Sequence, residues 1–125
     1  MGMYTEIYVN VDLKPGTPEE VIKVLKAVCE GNEMAECLKD KPSRWPQLFL
    51  SGSYYTPNTS CANLTFDCAA KQYSLLGKGD IKNYEGEIEA FFGFISPWCE
   101  NRFLGYHRYE SAREPILVYK ELTDD

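Results

Sequence analysis

The 125-residue chain reads as one α+β domain. A mainly antiparallel sheet of about six strands carries two helices on one face, in the order βαβββαββ. Three observations predict this. Apolar residues alternate along several short runs, two segments carry them at helical spacing, and short turn-forming stretches separate consecutive strand-like runs. One core is expected at this length, and a hydrophobic content of 44% with 14% aromatic residues suffices to fill it.

Met3 to Leu13 alternates, with Ile7, Val9, Val11 and Leu13 on one side and Glu6, Tyr8, Asn10 and Asp12 on the other. This is a half-buried strand. Thr17-Pro18-Glu19-Glu20 supplies an N-cap, a proline at the first helical position and a glutamate three residues after the cap, so a helix is predicted to about Glu30. Val21, Val24, Leu25 and Val28 form its apolar face, and Gly31 is its stop. Pro42 and Pro46 forbid a long regular element between Asn32 and Pro46, which leaves a loop with a short helical turn over Met34 to Leu38.

Strands are expected over Leu48 to Tyr55, Cys61 to Cys68 and Gln72 to Ile81, the first two joined by the turn Thr56-Pro57-Asn58-Thr59. A second helix is expected from about Tyr84, capped by Asp80 or Asn83, with Tyr84, Ile88, Phe91, Phe92 and Ile95 as its stripe and Pro97 weakening its end. Glu85, Glu87 and Glu89 crowd its first turns, where the helix N-terminus favours negative charge, and read as a solvated face rather than as an acid–base pair. Arg102 to Glu110 and Ile116 to Glu121 close the sheet as two strands joined through Ser111 to Pro115.

Thirteen Lys and Arg against nineteen Asp and Glu leave a net charge of −6. A nucleic-acid sheath needs several cations on one face, and no basic stripe is present, so no nucleic-acid partner is expected. No apolar run approaches the roughly 18 residues of a membrane span, so no membrane partner is expected either. The five cysteines are odd in number and form no CxxC pair. With no secretory apolar region at the N-terminus, a reduced, cytoplasmic protein is the expectation. Cys61 and Cys68 stand at opposite parity on one strand and are not expected to bridge. The sequons at Asn58 and Asn63 therefore read as chance.

Leu75-Leu76-Gly77-Lys78-Gly79-Asp80 carries two glycines and a lysine but not the spacing of a phosphate loop, and reads as a strand interrupted by a glycine bend. The single histidine, His107, excludes multi-histidine metal sites, and no metal, cofactor or catalytic residue is expected. A small hydrolase using His107 ranks last among the functional readings, because no nucleophile elbow or phosphate loop accompanies it.

The more unusual feature is tyrosine and arginine grouped near strand ends. Tyr54, Tyr55, Tyr106, Arg108 and Arg113 are the candidate ligand-facing residues, since tyrosine offers a stacking face and arginine a planar donor fork for phosphate or carboxylate. The competing explanation is that tyrosines suit strands and that Arg108 pairs with a neighbouring glutamate. Alternation places Tyr106 and Arg108 on one face of their strand and His107 and Tyr109 on the other.

With these segments placed, the chain resembles a family of small bacteriophage and prophage proteins of no established activity. The matching residues are Ser53-Tyr54-Tyr55, Asn83-Tyr84-Glu85 with Glu87-Ile88-Glu89, Phe103-Leu104-Gly105-Tyr106 and Arg108-Tyr109-Glu110, then Pro115 and Tyr119. The opening strand and the Thr17-Pro18-Glu19-Glu20-Val21 helix start extend the likeness over most of the chain. The resemblance implies action in the host bacterial cytoplasm, where small acidic accessory proteins disarm host defences. On that footing the chain is expected to be a non-enzymatic counter-defence protein that sequesters a small nucleotide immune signal. The alternative is an acidic inhibitor that blocks a basic site on a host protein, with salt-sensitive association. Self-association is also expected, from the aromatic content and the strand edges.

Overall fold

The computed structural model describes residues 4–42, 44–49, 61–83, 86–109 and 114–120. Among these residues five strands, β1 (Thr5–Asp12), β2 (Cys61–Asp67), β3 (Gln72–Ile81), β4 (Phe103–Tyr109) and β5 (Ile116–Tyr119), rather than about six, form an antiparallel sheet in the order β2-β3-β1-β4-β5. The α+β class and the antiparallel sheet are as the alternation predicts. The central position of β1 follows from its composition: Ile7, Val9, Val11 and Leu13 are all fully buried, each worth about 2 kcal/mol of removed apolar surface.

Two helices, α1 (Glu19–Glu30) and α2 (Glu87–Ile95), add Val21, Ile22, Val24, Leu25, Ala27 and Val28, and Ile88, Phe91, Phe92 and Ile95, to the same apolar cluster as the odd-numbered face of β1. Both therefore cover one face of the sheet. α1 ends as expected at Gly31, whose φ of 66° is the left-handed turn that glycine adopts without penalty. It does not begin as expected. Thr17 donates its hydroxyl to the Lys14 carbonyl at 2.6 Å instead of capping, and the Pro18 carbonyl accepts the Val21 and Ile22 amides. α2 starts at Glu87, later than expected, with Gly86 as its N-cap at a φ of 76°; Asn83 Oδ1 accepts the Ile88 amide at 2.9 Å from outside the helix while its Nδ2 donates to Glu89 at 2.9 Å.

Three further expectations are corrected. Leu48 and Phe49 do not open a strand but follow a 3₁₀ turn over Trp45–Gln47, fully buried, and the remainder of that expected strand lies outside the described residues. β3 runs through its glycines without a bend, in unbroken register from Thr5↔Ile81 to Asp12↔Ser74. The glycines serve packing. A Cβ on Gly77 would sit 2.5 Å from the Phe49 ring and one on Gly79 2.5 Å from the Leu48 carbonyl, so their absence lets the 44–49 segment lie on the sheet. Third, Glu87 is 1% exposed rather than solvated, with Arg44 Nη1 3.3 Å from its Oε1 and the Trp45 indole donating to its carbonyl.

Between Phe103 and Gly105 the β4–β5 register slips by one residue, a bulge that turns Leu104 into the core. Gly105 sits there at a φ of 153°, and any side chain would overlap the Tyr8 carbonyl oxygen. Gly93 in α2 is the opposite case, with open space where a Cβ would be. Gly105→Ala is expected to cost more than about 3 kcal/mol in urea denaturation, and Gly93→Ala to stabilise by roughly 0.5–1 kcal/mol.

Candidate functional site

A groove of about 560 Å³ opens between α2 and the β4–β5 side of the sheet. Glu89, Phe92 and Gly93 of α2 line one side, Leu104 and His107 of β4 and Leu117 to Tyr119 of β5 line the sheet side, and Lys14 and Lys120 also border it. Local features place Leu104, His107 and the lysines. The bulge supplies Leu104. Register supplies His107, which pairs with Ile7 and so shares the helix-covered face. The lysines converge because the chain beyond β1 and the chain beyond β5 both fasten to the 98–102 segment. Lys14 donates its amide to the Trp98 carbonyl at 2.6 Å, Glu100 its amide to the Asp12 carbonyl at 2.9 Å, and Lys120 its amide to the Arg102 carbonyl at 2.6 Å.

Lys120 also donates its Nζ to the Cys99 carbonyl at 2.7 Å. Loss of hydration, followed by the adjoining Lys14, holds its ammonium below the usual lysine range. Two cations set side by side in this way favour an anion between them, and the apolar side chains beside them suit the body of an organic ligand.

Two of the sequence-derived candidates, Tyr106 and Arg108, fall elsewhere. Tyr106 and Arg108 are brought together on the opposite face of the sheet, where Tyr106 stacks on Tyr8 with ring centroids 5.3 Å apart at 20°. Arg108 Nε lies 3.4 Å from Glu6 Oε1, the glutamate directly across in register. Burial and then Glu6 push the Tyr106 phenol up, so it stays a neutral hydrogen-bonding group. Tyr54, Tyr55 and Arg113 lie outside the described residues. Lys14, Lys120, Phe92 and Leu104 were not legible as a site, since they meet only through the bulge and the 98–102 fastening; His107 was singled out, but for catalysis rather than as a groove residue.

Neither of the two perturbed thiols is suited to be a nucleophile. Burial, with the Glu30 charge adding to it, pushes Cys29 up to about 11; burial pushes Cys99 up to about 12 against the opposing pull of Lys120 and Lys14. The described cysteines are all free, and among the described residues no group of three or more His, Cys, Asp or Glu could hold a metal ion. Among them, too, no helix is long and apolar enough to cross a membrane. Comparison with protein-family models, with curated proteins and with solved structures found no match for this chain.

The raised Cys99 thiol has a consequence for stability. The folded state keeps its proton above the usual 9.0 while the unfolded chain loses it, so folding stability falls as pH rises from about 9 toward about 12 and is unaffected below. The slope is at most about 1.4 kcal/mol per pH unit. Denaturation midpoints compared across this range should fall less steeply in Cys99→Ala than in the natural chain.

Proposed function

We propose that the protein acts by binding rather than by catalysis, taking a small anionic ligand of nucleotide size into the groove between α2 and β4–β5. In the phage context implied by the sequence resemblance, that ligand is a small nucleotide immune signal of the host, which the protein sequesters in the host cytoplasm. The observation that carries this reading is the groove itself, which joins two lysines and one carboxylate, Glu89, to apolar side chains in a volume suited to one small molecule. Lys14 and Lys120 supply donors for a phosphate, and Phe92, Leu104 and His107 face the remainder of the ligand. A net charge of −6 does not oppose this, because a single ligand needs only one or two cations. Of the phage-like segment Phe103-Leu104-Gly105-Tyr106, Leu104 lines the groove.

The test is native mass spectrometry of the protein with cyclic dinucleotides, cyclic mononucleotides and ADP-ribose-type compounds. One adduct per groove is expected. Lys14→Ala and Lys120→Ala should each weaken it by roughly tenfold, the worth of one charge-assisted hydrogen bond. Arg108→Ala, on the other face, should leave it intact. Loss in Arg108→Ala with both lysine variants unaffected would transfer the site to the Tyr8–Tyr106 face. No adduct across the panel would remove the nucleotide reading and leave capture of a host protein as the alternative.

A further inference from the structure

Among the described residues β5 is the outermost strand on its side of the sheet, and its backbone faces two ways. The Lys120 amide bonds back to Arg102, so alternation turns the N–H and C=O groups of Leu117 and Tyr119 away from β4, toward the outside of the sheet. The side chains along this edge are apolar and in water: Ile116 is 61% exposed, Leu117 50% and Tyr119 52%, with Phe103 exposed beside Tyr119 at a ring separation of 5.6 Å. Such an edge is a template for another strand. The opposite edge, β2, alternates Asn63, Thr65 and Asp67 with Ala62, Leu64 and Phe66. Of the latter, Phe66 is exposed at 48% beside Tyr73, whereas on β5 three of four strand residues are exposed and apolar or aromatic.

We propose that the strand which pairs here is β5 of a second copy of this chain, antiparallel and with Leu117 of each copy opposite Leu117 of the other. The segment Glu114-Pro115-Ile116-Leu117-Val118-Tyr119-Lys120 is complementary to itself in that register. Ile116 faces Val118, and Pro115 faces Tyr119, whose amide the proline carbonyl accepts. Glu114, exposed at one end, meets Lys120 at the other, twice across the two-fold axis. Lys120 Nζ gives one hydrogen to Cys99 and retains donors for that carboxylate. Sliding the strands until Val118 faces its counterpart would instead set Lys120 against Ile116, which leaves a charge opposite an apolar side chain. The charge pattern therefore selects both the occupant and the register. The pairing joins the two sheets into one; it shares Leu117 and Lys120 with the groove, and its Leu117 contact is tested apart from any ligand.

Sedimentation equilibrium of the full chain tests this. A dimer is expected at concentrations of about 100 μM. Leu117→Lys, a change at a half-exposed position that the folded monomer tolerates, places two lysines directly opposite and should raise the dissociation constant by more than about tenfold. Glu114→Lys sets like charges at both ends and should weaken the dimer by several-fold, whereas Asn63→Lys on the β2 edge should leave it unchanged. Circular dichroism confirms that each variant is folded. A natural chain that stays monomeric, a dimer indifferent to Leu117→Lys, or a dimer indifferent to Glu114→Lys would each overturn the proposal.

Discussion

The structure depends on one piece of packing: the aromatic wedge that the 44–49 segment drives between α2 and the sheet. Trp45 meets Phe91 and Phe94 edge-on with centroids 5.4 and 5.5 Å away, and Phe49 meets Phe91 at 5.4 Å and 87°. Edge-to-face geometry suits the ring quadrupoles, and Trp45, Phe49 and Phe91 are the largest fully buried side chains in the core. The wedge fits only because β3 presents Gly77 and Gly79 to it. The same segment holds the first turn of α2, through Arg44 on the Glu87 carboxylate and Trp45 on the Glu87 carbonyl. A buried carboxylate is costly unless paired, and here both a guanidinium and the positive end of a helix offset that cost.

On the β3 side of α2 the wedge fills the space against the sheet. On the β4–β5 side, Phe92, Gly93 and Leu104 line the groove instead. The groove is thus the counterpart of the wedge: one helix rests on aromatic rings along one flank and stands over a hollow along the other. The lysines at its border come from chain segments that fasten to the turn after α2, so the position of that helix also sets the position of the charge.

The two faces of the sheet divide the chemistry. The helix-covered face holds the core and the groove, while the other carries Tyr8 on Tyr106 and Glu6 beside Arg108, pairs that satisfy one another across adjacent strands. Tyr106 and Arg108 stood out in the sequence because aromatic and cationic residues at strand spacing look like a binding surface. Cross-strand partners are decided by register, and a single sequence does not give register between strands nearly a hundred positions apart.

Local periodicity determined a good deal: the alternation of β1, the apolar stripe and glycine stop of α1, the full extent of β3, and the parity that separates His107 from Tyr106 and Arg108. These are properties of residues within a few positions of one another. The tertiary structure decided what depends on distant neighbours. It turned the glycines of β3 into a seat for Phe49 rather than a bend, and it buried Glu87, which helical position alone marked as solvated. It also gathered Lys14, His107 and Lys120 around one groove. The physical reason is the same in each case: burial and electrostatic environment belong to the packed partner, and the partner is chosen by strand order, bulge and register rather than by the local run of side chains.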